Sequence, residues 1–225
     1  MSYTLVDYVK EKHPEAYEKF QRSLSSVNIN QQFCQYHYRE LKQLVESHKS
    51  AHPTEREIFK SVFVREDYEA STQFTIAYQA NTLAIVRNMH SLPDIMAHVI
   101  YYALSMHIST NTTIGERDIC LTKVTKKLKA NTEHRLLLKK LNALTEGEDF
   151  SYLLNLGNYL KHRSNILPNI KVSLAQPVKY NFFFEEFDGN PSVDAHKLIE
   201  REFNRFSNCL VDIYDELKKM LLAKH

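Results

Sequence analysis

Glycine is scarce in this chain, with four residues in 225. Globular sequences average about 7% glycine, so the shortage argues against Gly-rich phosphate loops, Rossmann turns and sheet-heavy folds built on tight turns. No nucleotide cofactor held by such a loop is expected, and helix becomes the default. The three cysteines, Cys34, Cys120 and Cys209, are odd in number and far apart, which fits reduced thiols better than a disulfide framework or a zinc site. No apolar run reaches the roughly 18 residues that a bilayer span requires. The opening Met1-Ser2-Tyr3-Thr4-Leu5-Val6-Asp7 lacks the basic region and apolar core of a secretion signal. A soluble, cytoplasmic protein without a membrane partner is therefore expected. An excess of one charge is also missing: 29 Lys and Arg face 27 Asp and Glu, and a net charge near +2 selects neither for nor against an anionic partner.

What is present is helical periodicity. Pro14 can open a helix reaching about residue 26, a second spans roughly 29–47, and Pro53-Thr54 introduces a third toward Phe63. Residues 1–65 read as an N-terminal helical extension packed on a core at 66–225. Over 65–89 the apolar residues Phe74, Ile76, Leu83, Ile85 and Val86 occupy more than one face, as in a central helix. Over 87–109 Met89, Leu92, Met96, Val99, Ile100 and Ala103 share one side, opposite Arg87, His90, Asp94, His98, Tyr101 and Ser105. Pro93, between Ser91 and Asp94, predicts either a kink or a fresh helix start. Residues 110–118 are polar and form a loop.

A basic stretch follows, with Arg117, Lys123, Lys126, Lys127, Lys129, Arg135, Lys139 and Lys140 against Asp118 and Glu133. Leu136, Leu137, Leu138, Leu141 and Leu144 make a helix ending before Gly147. The next helix, over 148–163, turns Phe150, Leu153, Leu154, Gly157 and Leu160 inward. After Pro168 the period changes to two: Ile170, Val172 and Leu174, then Val178, Tyr180, Phe182 and Phe184. This predicts a hairpin at about 169–187 whose aromatic side lies on helices, since an isolated hairpin is marginal in water. Asp188-Gly189-Asn190-Pro191 reads as a turn and Ser192 as the cap of a last long helix. There Ile199, Phe203, Phe206, Leu210, Ile213, Leu217 and Met220 step by 4,3,4,3,4,3, a bundle or dimer seam. The expected class is mainly α: a helical bundle with an N-terminal extension and one small β-hairpin before a long C-terminal helix.

Three groups of residues carry candidate chemistry. Ser151, Asn155, Asn158 and His162, spaced 4, 3 and 4, form a polar stripe that ends between Lys161 and Arg163. Cations pair with phosphate oxygens and an imidazole moves protons near neutral pH, although a basic last turn also offsets a helix dipole. Arg87, His90, Asp94 and His98 form a second stripe. His90 and His98 lie about 12 Å apart along a helix, too far to share one metal ion at ligand distances near 2 Å. No metal is expected, and an ion-pair or hydrogen-bond network or a polar cleft with the first stripe is. Lys123, Lys126 and Lys127 form either an RNA-binding face or the solvated side of an amphipathic helix. Tyr101, Tyr102, Tyr152 and Tyr159 are aromatics that could stack on bases.

Arg87-Asn88-Met89-His90-Ser91-Leu92-Pro93-Asp94, then Tyr152 and Asn158-Tyr159-Leu160-Lys161-His162-Arg163, then a hairpin and a long helix, resemble a group of uncharacterised bacterial helical proteins. These in turn look like outlying members of the HEPN superfamily. The resemblance covers about residues 70–220. It implies a helical bundle, often a homodimer, and a metal-independent RNase of the defence or toxin type, whose motif is Arg, four to six residues, then His. His162 matches the motif His and Asn158 the polar residue after the Arg. The Arg positions hold Leu156, Gly157 and Asn158, leaving Arg163 or Arg87 to supply a guanidinium. The expected site is thus His162, Asn158, Arg163, Arg87 and Asp94 for catalysis, with Lys161, Lys123, Lys126 and Lys127 on phosphate. The expected partners are a second copy and RNA or a nucleotide. The alternative is a non-catalytic helical module that binds another protein.

Overall fold

Apolar residues at helical spacing are carried by seven α-helices among the described residues: α1 (Leu5–Lys12), α2 (Tyr17–Ala51), α3 (Tyr68–Ala103), α4 (Leu121–Leu128), α5 (Arg135–Thr145), α6 (Glu148–His162) and α7 (Ala195–Leu222). The computed structural model describes residues 3–52, 54, 56–57, 60–61, 68–173 and 179–223. Three short strands, β1 (Asn169–Ser173), β2 (Lys179–Phe184) and β3 (Val193–Asp194), form an antiparallel sheet in the order β1-β2-β3. The chain is mainly helical, with a small sheet before a long C-terminal helix. No helix of the described residues is long and apolar enough to cross a membrane.

The residues cluster into two compact units. The first comprises Met1–Gln31, Met89–Ser151 and Asn204–His225, and the second Gln32–Asn88 and Tyr152–Phe203. In the first, α1 starts at a capping box in which Thr4 Oγ1 accepts from the Asp7 amide at 3.2 Å and the Asp7 carboxylate accepts from the Thr4 amide at 3.0 Å. This satisfies two donors left open at a helix start. Leu5, Val9, Val99, Ile100, Val124, Leu137, Leu141, Ile213 and Leu217 are fully buried. Phe150 and Phe206 stack with ring centroids 5.8 Å apart. The Arg205 guanidinium lies over both rings and donates to the carbonyls of Ala143 at 2.6 Å and Leu144 at 3.0 Å. Those carbonyls end α5 and have no acceptor role inside their own helix.

The second unit is rich in ring contacts. Tyr78 stacks on Phe182 at 3.4 Å, His48 on Phe74 at 3.9 Å and Tyr38 on Phe203 at 4.7 Å. The hairpin pairs Ile170 with Phe182 and Val172 with Tyr180 in antiparallel register. Phe182 and Phe184 are buried. Leu174 and Val178 of the predicted strands lie outside the described residues, as do Pro53 and Phe63 of the predicted third helix.

Several boundaries differ from the sequence reading. The helices predicted at 14–26 and 29–47 are one 35-residue helix, α2. The polar residues around the predicted boundary are bonded within it: Ser23 Oγ and Ser26 Oγ donate to the carbonyls of Lys19 and Arg22, each at 2.8 Å, and Asn30 Nδ2 donates to that of Ser26. Such bonds to the preceding turn keep Ser and Asn inside a helix. α3 runs unbroken through Pro93, so the chain does not restart there. Met89, Leu92 and Met96 are buried on either side of the proline, and that packing overrides the local signal. α3 ends at Ala103 rather than 109, because Ser105 takes φ 52° while Met106 and Ser105 donate back to the carbonyls of Tyr101 and Tyr102, a Schellman closure. The single run predicted after residue 117 is two helices, parted where the Asn131 side chain accepts from the Glu133 amide at 3.0 Å. Leu154, read as inward, is 38% exposed, and Ile76 and Leu136, counted among the apolar positions of their helices, are 59% and 61% exposed. Asp194, not Ser192, caps α7: its Oδ1 accepts from the Lys197 amide, and the Ser192 hydroxyl donates to the Phe184 carbonyl.

Four histidines make stability depend on acid. Burial lowers His13, His98 and His196 below their ordinary value of 6.5 and pushes His48 down to about 4. Below pH 6.5 the unfolded chain takes up protons that the folded His48 refuses, so stability falls from there toward pH 4. The capping carboxylate of Asp7, held below its ordinary 3.8, acts only at lower pH. The thermal midpoint is expected to drop between pH 7 and pH 5, and His48→Gln to flatten that drop. A midpoint constant across this range would contradict the assignment.

Candidate functional site

The polar stripe of α6 is set by helical geometry. Leu153, Leu156 and Leu160 are buried, which turns Asn155, Asn158 and His162 outward on a fixed wall. Ser151, the first stripe residue, is spent on a bond to the Gly147 carbonyl at 3.0 Å. The other three, with Tyr159 and Arg163, line a cleft of about 300 Å³ closed on its far side by Phe187, Asp188 and Asn190.

That far wall is a two-residue turn. Phe187 and Asn190 exchange backbone hydrogen bonds at 3.1 and 2.7 Å, and the residues between them, Asp188 and Gly189, take φ of 48° and 78°. Positive φ at both central positions is the hairpin geometry for which Asp-Gly is a preferred pair. The turn is tied to α6 twice: Asn155 Nδ2 donates to Asn190 Oδ1 at 2.9 Å, and the Arg163 guanidinium pairs with Asp188 at 3.0 Å. The Arg163 guanidinium also lies 5.2 Å from the centre of the Tyr159 ring, which meets Phe187 edge-on at 5.5 Å.

Of the residues expected to act, the cleft brings together Asn158, His162 and Arg163. His162 is exposed and makes no hydrogen bond among the described residues, so both ring nitrogens are open to a ligand. Lys161 is exposed beside it but does not line the cleft. Arg87 is outside the lining as well, donating to Asn165 Oδ1 at 3.3 Å. Asp94 belongs to the first unit, where its carboxylate accepts from the Leu121 amide at 2.9 Å and caps the start of α4. Lys123, Lys126 and Lys127 line a separate cavity in that unit. Among the described residues no group of three or more His, Cys, Asp or Glu is placed to hold a metal ion. Tyr101, Tyr102 and Tyr152 are 2%, 5% and 6% exposed and cannot stack on a base; Tyr159 alone of the four borders the cleft. Burial raises the Tyr152 hydroxyl above its ordinary pKa of 10.0.

The sequence reading missed the far wall. Asp188-Gly189-Asn190 was legible as a turn, but nothing in the local pattern aims a turn at a helix 25 residues earlier. Leu156 is buried, and the arginine that lines the cleft is Arg163, one residue after His162. No family model matches the chain, and no curated protein or solved structure matches it.

Proposed function

We propose that the protein binds RNA in this cleft and cleaves it without a metal, in the way the HEPN resemblance implies. One observation carries the reading: an unengaged imidazole, a guanidinium and carboxamides converge on one concave site at the end of α6. Arg163 offers the planar donor fork that suits a phosphodiester. Its present partner, Asp188, is a half-exposed carboxylate, and exposed ion pairs contribute only about 0–1 kcal/mol. A phosphate therefore displaces it at small cost. Asn158 and Asn155 flank the anion, the Tyr159 edge supports a base, and His162 takes the 2′-hydroxyl proton or protonates the leaving oxygen. Arg163 offsets the charge that builds on phosphorus.

A homodimer, which the same resemblance implies, must use a surface other than the α7 seam, because Ile199, Phe206, Leu210, Ile213 and Leu217 are buried within the chain. A second reading, a protein-interaction module, is favoured by a different feature. Ile29, Phe33 and Tyr36, at helical spacing on α2, are 43%, 52% and 50% exposed, and exposed apolar stripes mark contact surfaces.

Fluorescence anisotropy with a labelled single-stranded RNA at about 50 mM salt tests the binding step. The wild type is expected to bind, Arg163→Ala to weaken binding about tenfold, and Asp188→Asn to strengthen it by freeing the guanidinium. Absent wild-type binding, or equal affinity in Arg163→Ala, gives the protein to the module reading.

A further inference from the structure

We propose that the first unit holds a second site, a groove between α4 and the loop at 111–115 that takes a compact polyphosphate, with a nucleoside triphosphate as the fitting ligand class. The cavity measures about 530 Å³ and is lined by Lys123, Lys126 and Lys127 of α4, by Asp118, and by Ile114 and Ala130. Its size falls in the usual range for small-molecule sites, about 300–1,000 Å³. The three lysines stand at i, i+3 and i+4, one face of one helical turn. Leu121, Val124 and Leu128 are buried on the opposite face. On a merely solvated helix such lysines point from a convex surface into bulk water. Here they line a concavity, where like charges between low-dielectric walls concentrate the field on a bound counter-ion.

The groove keeps its cations available. Lys127 Nζ donates to the Asn111 carbonyl at 2.7 Å and so holds the loop as the second wall. Lys123 pairs with Asp118 at 2.8 Å, half-exposed on both sides, and such a pair exchanges readily for a stronger anion. Lys126 has no ion-pair partner among the described residues. The half-unit of negative charge at the end of a helix is outweighed by three ammonium groups. Ligand class follows from donor type and spacing. No arginine lines the cavity; its cations are compact ammonium groups, which bind phosphate as point charges in the way a phosphate-loop lysine does. The first and last lysine are separated by only about 6 Å of helix rise, so the three side chains enter the cavity from a single turn. That arrangement fits phosphates linked directly to one another better than phosphates spread along a strand. Ile114, Ala130 and the lysine stems provide an apolar strip beside the charges for a flat base.

Isothermal titration of the full chain with tripolyphosphate, ATP and orthophosphate, in about 50 mM salt with chelator present, tests this site. Tripolyphosphate and ATP are expected to bind, ATP more tightly, and orthophosphate at least tenfold more weakly than either. Lys126→Gln should weaken both tight ligands about tenfold with an unchanged melting temperature, and Lys123→Gln should do so to a smaller degree. Arg163→Ala should leave them untouched, so this site and the RNA cleft fail or stand separately. The proposal is overturned if neither polyphosphate binds at about 1 mM, if Lys126→Gln binds as the wild type does, or if single-stranded RNA fully displaces ATP.

Discussion

His162→Ala is expected to lower cleavage of a mixed RNA pool, measured with chelator present, by about 10²–10⁴-fold, the usual contribution of a positioned acid or base. The chemistry sets that size. A 2′-hydroxyl attacks the adjacent phosphorus only as its proton leaves, and the 5′ oxygen departs only as it gains one. The His162 ring makes no hydrogen bond among the described residues, so alanine removes proton transfer and little else. The stability cost should stay near 1 kcal/mol, the scale of a cation at a helix C-terminus. Arg163→Ala should also depress the rate, through lost charge stabilisation and weaker binding together. Three results defeat the RNase reading: a wild type that does not cleave, cleavage that chelator removes, or an alanine variant that keeps its rate. Retained RNA binding without cleavage reduces the cleft to a phosphate-contact site.

The second large effect is structural. Phe206→Ala should destabilise the protein by about 3–5 kcal/mol, the range for an aromatic deleted from a packed core. Phe206 is 2% exposed and stacks on Phe150, and the Arg205 guanidinium covers both rings. Truncation opens a cavity and takes away part of the surface on which Arg205 rests. Val211→Ala, on the same helix but at a position 57% exposed, is the control and should change stability by no more than about 0.5 kcal/mol. The readout is the chemical-denaturation midpoint at constant slope. A loss below about 1 kcal/mol for Phe206→Ala would mean that the seam of α7 is not core.

Where periodicity had one physical cause, the fold could be read directly. The 4,3 stepping from Ile199 to Leu217 matches a stripe that is buried at every step but the half-buried Phe203, because nothing in that stretch competes with helix. The alternation through Phe182 and Phe184 matches a strand pair for the same reason. Errors arose where a local signal opposed distant packing. Pro93 and the serines near residue 26 favour a break by themselves, and neighbouring buried residues keep both helices whole. α1 is not legible from periodicity because its eight residues bury only Leu5 and Val9, too few to define a stripe. The cleft was half legible for a related reason. Its α6 wall is a spacing within one helix, whereas Asp188 and Asn190 reach it through the path of the sheet, which no local pattern encodes. Asp94, grouped with the acid–base candidates by spacing, instead closes a helix start 27 residues away.

Arg205 has a consequence for synthesis. It completes the last turn of α5 from 62 residues downstream, so on a ribosome moving at about 5–20 residues per second that turn emerges roughly 3–12 s before its guanidinium does. During that interval the Ala143 and Leu144 carbonyls face water, and Phe150 has no aromatic mate. The polypeptide made up to that point is left with an unfinished helix end and an exposed ring, a natural foothold for chaperones, until the segment around Arg205 and Phe206 arrives to cover both.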